Sequence, residues 1–178
     1  MPKVRILEPR KLSSTDDRSK FASGAEELDI WFQRYAKQNL QANNAVTYVT
    51  TTNEGQIAGY YAICSAGVSK EHVPDRFGKR RPQDIPCILL ARLAIDKRFQ
   101  GHGIGRHLFR DAITRAISAS EAVGAACLLI HARDSNAKQF YMNQIDLLES
   151  PVDELHLILP IKLAASALKQ QSDDQKLP

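Results

Sequence analysis

Apolar positions along the chain recur with two periods. Leu28, Trp31, Phe32, Tyr35, Ala36 and Leu40 fall on steps that line one stripe of a helix. Ser23, three residues ahead of Glu26, predicts a capping box at its start. The aromatic members of the stripe read as core packing. Residues 46–52 and 57–64 are β-rich on either side of Asn53-Glu54-Gly55, which predicts a hairpin. Gly59 inside the second strand predicts a bulge or a close backbone approach. Residues 87–95 are apolar throughout except for Arg92, the signature of a strand buried on both faces. Ile104, Leu108, Phe109, Ala112, Ile113, Ala116 and Ile117 then mark a long amphipathic helix ending near Gly124. Residues 126–132 form another buried run. Asp134-Ser135-Asn136 can cap a helix carrying Ala137, Phe140 and Tyr141. Residues 155–161 make a last strand, and Val4, Ile6 and Leu7 a short first one. The predicted order is β-α-β-β-(loop)-β-α-β-α-β, one α/β domain over residues 1–165 built on a mixed sheet with helices on both faces. The polar stretch 166–178 reads as a flexible, frayed tail.

Composition narrows the class. The chain has 178 residues, 43% hydrophobic and 25% charged, an ordinary globular balance with enough length for one core. A net charge of +4 permits an anionic partner without demanding one. Cys64, Cys87 and Cys127 are odd in number and far apart, with no C-x-x-C or Cys/His spacing. That argues against a disulfide frame or a metal site, and for a reducing compartment. The first thirty residues carry charges throughout, and no apolar run approaches the about 20 residues of a membrane span, so the expectation is a cytoplasmic protein. Residues 68–86 are polar and broken, with Arg76, Lys79, Arg80 and Arg81 close together. They read either as a solvated loop or as a contact surface for a polyanion. Arg92, inside an apolar run, needs an internal carboxylate or a ligand phosphate as partner.

The stretch between the long buried strand and the long helix carries the candidate chemistry. It runs Asp96-Lys97-Arg98-Phe99-Gln100-Gly101-His102-Gly103-Ile104-Gly105-Arg106. Strand, glycine-rich turn and helix N-terminus together present backbone N–H groups to one point, which suits an anion. A Walker loop is absent because Gly105 is followed by Arg106-His107. The glycine spacing and the position halfway along the chain do not fit a dinucleotide fold. What remains is Gln100-x-x-Gly103-x-Gly105, which can wrap a pyrophosphate where a Cβ would block the approach. Taken alone it is a weak signal, and the plainer reading is a strand-to-helix turn that needs positive φ.

Arg92-Leu93-Ala94-Ile95-Asp96 followed by Gln100-x-x-Gly103-x-Gly105, with Asp134-x-x-Ala137-x-x-Phe140-Tyr141 downstream, resembles the GCN5-related N-acetyltransferases (GNAT). Further motifs are similar to the GNAT toxins of bacterial toxin–antitoxin modules: Phe21-x-Ser23-Gly24-x-x-x-Leu28-Asp29-x-Trp31, Thr47-Tyr48-Val49, Gly59-Tyr60-Tyr61, His131-Ala132-x-Asp134 and Ser150-Pro151. The likeness spans roughly residues 20–160. It implies a GNAT fold, a mixed and mostly antiparallel central sheet with helices on both faces (α/β, or α+β in some schemes). It implies acetyl-CoA as acetyl donor and direct transfer to an amine without an enzyme nucleophile.

Backbone N–H groups around Leu93, Ala94 and Ile95 would meet the thioester carbonyl. Gln100, Gly101, His102, Gly103, Ile104, Gly105 and Arg106 would surround the phosphates, and Asn136 would hold the pantetheine arm. Tyr141 would be the general acid for the leaving thiol, with core packing against Phe140 as the other reading. No base presents itself, and His131 reads as structural. The toxin branch implies aminoacyl-tRNA as acceptor, its α-amino group titrating near neutrality, and blocked translation as the result. Arg76, Lys79, Arg80, Arg81 and Arg92 would hold the acceptor stem. The branch also implies a ribbon-helix-helix antitoxin and a homodimer. A small amine or a protein amine is an alternative acceptor. A binding protein of the same fold without activity is another reading, because residues 142–148 lack the glycine the family shows after its Phe-Tyr pair.

Overall fold

The structure is a computed structural model that describes residues 3–174. In chain order its elements are β1 (Arg10–Lys11), α1 (Glu26–Arg34), α2 (Ala36–Gln41), β2 (Val46–Thr51), β3 (Ile57–Ser69), α3 (Asp75–Gly78), β4 (Asp84–Ile95), α4 (Ile104–Val123), β5 (Cys127–His131), α5 (Ser135–Met142), β6 (Leu148–Glu149), β7 (His156–Pro160) and α6 (Ile161–Asp174). The seven strands lie in the order β1-β2-β3-β4-β5-β7-β6. β1/β2, β2/β3, β5/β7 and β6/β7 are antiparallel. β4 and β5 are neighbours joined through α4, the crossover that parallel strands require. The chain forms two compact units, Met1–Cys64 with Leu90–Ala112 and Ser65–Leu89 with Ile113–Pro178.

In the first unit the helical stripe and the hairpin meet as their periods predict. Phe32 is fully buried, stacked on Tyr60 with ring centroids 4.2 Å apart, and Phe21, Val49 and Ala94 join the same cluster. The start of α1 differs from the capping-box expectation. Its N-cap is Ala25, which gives no side-chain bond. Ser23 instead bonds Asp29, whose Oδ1 accepts from Ser23 N at 2.9 Å and Ser23 Oγ at 2.6 Å. Glu26, Glu27 and Asp29 put negative charge in the first turn, favourable to the helix dipole.

Gly59 meets both of its predicted roles. The β2/β3 register shifts beside it, with Thr50 opposite Gly59 and Thr51 opposite Ile57. A Cβ there would stand 2.8 Å from Ile95 Cδ1, 2.9 Å from Leu108 Cδ1 and 3.1 Å from the Ala94 carbonyl. Gly59 therefore turns toward α4, while Tyr60 turns the opposite way into the α1 cluster. Helices cover both faces of these strands. The first strand lies later than Val4-Ile6-Leu7 suggests. Arg10 and Lys11 pair with Val49 and Tyr48, and Ile6 makes a single bridge to Thr52.

β4 holds a feature that its apolar run conceals. Lys70 N donates to Gln83 O, and Asp96 N to Ala58 O. Between these two bonds β4 carries one residue more than β3, which is a β-bulge. Odd positions Ile85, Cys87 and Leu89 pack in the cluster of Val68 and Ile158, whereas even position Ala94 packs with Tyr60. Arg92, two positions before Ala94, shares its side of the strand and meets Trp31.

In the second unit, Leu128, Ile130, Leu157 and Leu159 are fully buried. β5 and β7 pair from Cys127↔Pro160 to His131↔His156. Cys87 and Cys127, far apart in sequence, are buried free thiols of the same cluster. The polar stretch after residue 165 is helical through Asp174, and residues 175–178 of the expected tail lie outside the described residues. Ala164 is buried and Ala167 and Leu168 are half-buried on that helix, so a short apolar stripe suffices to hold it.

Gly59→Val should lower stability by about 1–3 kcal/mol, because the added methyls have no room against Ile95, Leu108 and the Ala94 carbonyl. Urea denaturation measures it. An unchanged midpoint would contradict the packing.

Candidate active site

The glycine loop is held from behind by one carboxylate. Asp96 is 1% exposed. Its Oδ1 accepts from Arg98 N at 3.0 Å and Arg98 Nε at 2.9 Å, and its Oδ2 from Arg98 Nη2 at 3.1 Å and Ala22 N at 3.2 Å. Lys97 N donates to Ala22 O at 2.8 Å. Burial alone would push the Asp96 carboxyl up, but the bonds from Arg98 and Ala22 outweigh it and hold the carboxyl below its ordinary range. Gln100 adds a second fastening, its Nε2 donating to Ser23 O at 2.8 Å and to Ile95 O at 2.9 Å. Gly24, at φ +97°, lies under Lys97, where a Cβ would meet Lys97 Cε at 2.9 Å. The segment Phe21-Ala22-Ser23-Gly24 is thus the anchor for the loop, a role the sequence shows only as a motif.

Beyond this fastening the loop is open. Gly101 at φ +80° and Gly103 at φ +78° have nothing within 4 Å of a built Cβ, so backbone conformation is what requires glycine there. Gly101, His102, Gly103 and Arg106 are exposed, while Ile104 is buried and anchors the first turn of α4. His102 Nδ1 faces the carbonyls of Phe99 and Gln100 at 3.2 and 2.8 Å, so it is the protonated nitrogen. α4 has no acidic residue in its first turn, which leaves its positive end uncompensated. These residues fit a diphosphate: free backbone N–H groups, no Cβ in the approach, and a helix N-terminus. Gln100 differs from its neighbours, since both of its amide hydrogens are engaged inside the protein and it acts by positioning.

Leu93, Ala94 and Ile95 close β4 just ahead of the glycine loop. Arg92 has a partner the sequence reading did not consider. Its guanidinium lies 4.3 Å from the centre of the Trp31 ring, a cation–π contact rather than an ion pair. Tyr60 beside it donates its hydroxyl to Leu28 O at 2.8 Å, and burial pushes its pKa well above the ordinary tyrosine range.

The residues of the second unit are placed as follows. Asp134 caps α5, its Oδ1 accepting from Ala137 N at 2.8 Å, and Asn136 is exposed in the first turn. Tyr141 is 5% exposed and lies edge-on to Phe140, ring centroids 5.2 Å apart. Burial pushes its hydroxyl well above its ordinary range. The segment after it closes without a glycine: Asn143 N donates to Gln139 O, Gln144 N to Tyr141 O, and no residue there has positive φ. β6 then pairs with β7. His131 stacks on His156 at 3.8 Å, and its pKa is lowered by burial and by that neighbour. Arg76, Lys79 and Arg80 are exposed, with no ion-pair partner among the described residues. Arg81 is half-buried, its Nε donating to Phe77 O at 2.9 Å and its guanidinium 4.4 Å from the Phe77 ring. Among the described residues no group of three or more His, Cys, Asp or Glu could hold a metal ion.

Residues 43–144 match the acetyltransferase (GNAT) domain family. A tRNA-acetylating toxin of Mycobacterium tuberculosis is 38% identical over 160 residues, covering 90% of this chain and 95% of the relative. The solved structure of AtaT complexed with acetyl-methionyl-tRNAfMet superposes with a TM-score of 0.83 at 27% identity, over 93% of this chain and 99% of that one. A mutant AtaT toxin bound to the C-terminus of the antitoxin AtaR and acetyl-CoA superposes with a TM-score of 0.76 at 26% identity, over 93% and 99%.

Asp96→Asn should loosen the loop and destabilise the fold in a pH-dependent way. The folded pKa lies below the unfolded value of about 3.9, so the contribution is present above that value and is lost as pH falls through the folded pKa. The stability gap between wild type and Asp96→Asn should be full near pH 6 to 7 and shrink below about pH 4. Denaturation curves across that range measure it, and an equal gap at both ends would contradict the clamp.

Proposed function

On the premise that the chain belongs to the GNAT acetyltransferases and, within them, to the tRNA-acetylating toxins, we propose that it acetylates the α-amino group of an aminoacyl-tRNA, blocks translation, and is neutralised by an antitoxin. The near end-to-end likeness to the mycobacterial tRNA-acetylating toxin carries this reading of the acceptor. Acetyl-CoA supplies the acetyl group as an activated thioester. The further parts of the assembly, a ribbon-helix-helix antitoxin and a homodimeric toxin, rest on the resemblance to the toxin branch. No described helix is long and apolar enough to cross a membrane. A cytoplasmic place, where charged tRNA is found, completes the proposal.

Each predicted residue takes a role its own surroundings support. The backbone N–H groups of Gly101 to Arg106 hold the diphosphate; the loop is open in front and fixed behind by Asp96 and Gln100. Backbone N–H groups of Leu93, Ala94 and Ile95 stabilise negative charge on the carbonyl oxygen. Asn136, exposed at the start of α5, bonds the pantetheine arm. Tyr141 gives its proton to the leaving sulfur. Its raised pKa keeps the hydroxyl protonated throughout the working range, at the cost of a weaker driving force for transfer to a thiol of pKa about 8.5. The acceptor amine needs no dedicated base, since an α-amino group titrates at about 7.7–8.0. Arg76, Lys79 and Arg80 bind RNA phosphates. Arg81 and Arg92, held over the Phe77 and Trp31 rings, present their remaining N–H groups. The turn after Tyr141 closes on backbone bonds without a glycine, which favours the enzyme reading over a binding-only protein.

Wild-type protein given labelled acetyl-CoA and bulk charged tRNA should move label to the aminoacyl end. Label appearing only on small amines or protein would overturn the acceptor. Tyr141→Phe should slow transfer by about 10²- to 10⁴-fold while acetyl-CoA affinity holds; growth arrest that persists in that variant would mean the protein acts by binding. The rate should rise with pH through the amine's titration and show no fall near pH 10, because the Tyr141 hydroxyl is still protonated there. A descending limb near about 10 would argue against Tyr141 as the acid.

A further inference from the structure

The connection from β3 to β4 forms an open recess beside Arg76 and Lys79, two of the cations assigned to RNA phosphates. Its volume is about 590 Å³, and Lys70, Glu71, Asp75, Arg76, Gly78 and Lys79 line it. Gly78 is buried and packed close, since a Cβ there would stand 3.3 Å from Val73 Cγ2 and 3.5 Å from Lys70 Cγ. The lip of the recess is shaped at some cost. Arg80 holds φ +66°, a conformation that a long side chain seldom adopts, and the next residue, Arg81, is pinned to Phe77 by a hydrogen bond and a ring contact.

The lining carries both signs of charge. Lys70, Arg76 and Lys79 are cations; Glu71 and Asp75 are carboxylates. A surface that reads only a phosphate backbone gains nothing from carboxylates, which repel it. A nucleotide needs both, because its phosphate seeks cations and every base edge carries N–H donors that a carboxylate accepts. Glu71 is already occupied: its two oxygens accept from Gln83 Nε2 at 2.7 and 2.8 Å, which holds its pKa below the ordinary range. The Asp75 carboxylate has no partner among the described residues and is exposed.

We propose that this recess is a nucleotide subsite, which takes one unpaired nucleotide of the RNA with its phosphate on Lys70, Arg76 and Lys79 and its base edge on the Asp75 carboxylate. The assignment rests on the reading of charged tRNA as substrate and adds to it a place where the protein reads a base as well as the phosphate backbone.

The test uses the full chain, a nucleoside 5′-monophosphate, inorganic phosphate and deacylated bulk tRNA as probes, and the variants Asp75→Ala and Lys70→Ala with Lys79→Ala. Both variants should keep wild-type acetyl-CoA affinity, which shows that they fold. The double lysine variant should weaken nucleotide, phosphate and tRNA binding, the last by about tenfold or more, with a shallower salt dependence. Asp75→Ala should weaken the nucleotide by about tenfold while phosphate binding holds or tightens. If Asp75→Ala tightens nucleotide and phosphate alike, the recess is an electrostatic patch and the proposal falls. It falls equally if the variants leave tRNA and nucleotide untouched but abolish neutralisation by the antitoxin, which would make the recess a protein-docking site. Nucleotide binding that behaves as stated in a wild-type protein unable to acetylate charged tRNA would sink the substrate reading and leave the subsite standing.

Discussion

The carboxylate of Asp96 is the constraint on which the rest of the site depends. An open loop rich in glycine is entropically free, and a free loop makes a poor anion cradle because ordering it opposes binding. Asp96 removes that freedom before any ligand arrives. It is buried, it accepts from two backbone N–H groups and from both arms of the Arg98 guanidinium, and one of those backbone groups belongs to Ala22, far away in the chain. A buried carboxylate without such partners would be strongly unfavourable. With them it fixes the end of β4, the turn that follows, and the entry to α1 in one network. Gln100 repeats the arrangement one turn later.

The same network connects the glycine loop of the first unit to α1 and Arg92. Ser23, whose carbonyl receives Gln100, also bonds Asp29 on α1. Two residues further along that helix Trp31 lies against the guanidinium of Arg92 on β4. Substitutions in the short motif that begins at Phe21 should therefore be felt in phosphate binding as well as in α1, although no residue of the motif lies in the glycine loop.

The hydrophobic pattern made most of the fold legible, because the hairpin, α4 and α5 each follow a period that only one element can satisfy. Gly59 was legible for the same reason: a glycine within a β-rich run has few physical excuses. The glycine loop and Tyr141 stood out through spacing and resemblance. What escaped has physical reasons. The β4 bulge lies inside a run apolar at almost every position, so a shift of one residue leaves no trace in the pattern. The Asp96 clamp joins residues 74 apart, and nothing local distinguishes it from an ordinary aspartate before a turn. Ser23 has several acids within reach, and local rules chose Glu26 where the fold uses Asp29. Arg92 was expected to seek a charge, but the face of an aromatic ring serves a guanidinium as well. The polar C-terminal stretch conceals Ala164, Ala167 and Leu168, too short a stripe to register against its charges.

The central claim is that the loop latched by Asp96 holds the diphosphate of acetyl-CoA. A crystal structure of the protein with acetyl-CoA tests it most directly. The account predicts diphosphate oxygens within hydrogen-bond distance of backbone N–H groups between Gly101 and Arg106, with the bonds of Asp96 to Ala22 and Arg98 and of Gln100 to Ser23 and Ile95 unchanged. A diphosphate bound elsewhere, or a loop that must break those bonds to receive it, would contradict the account.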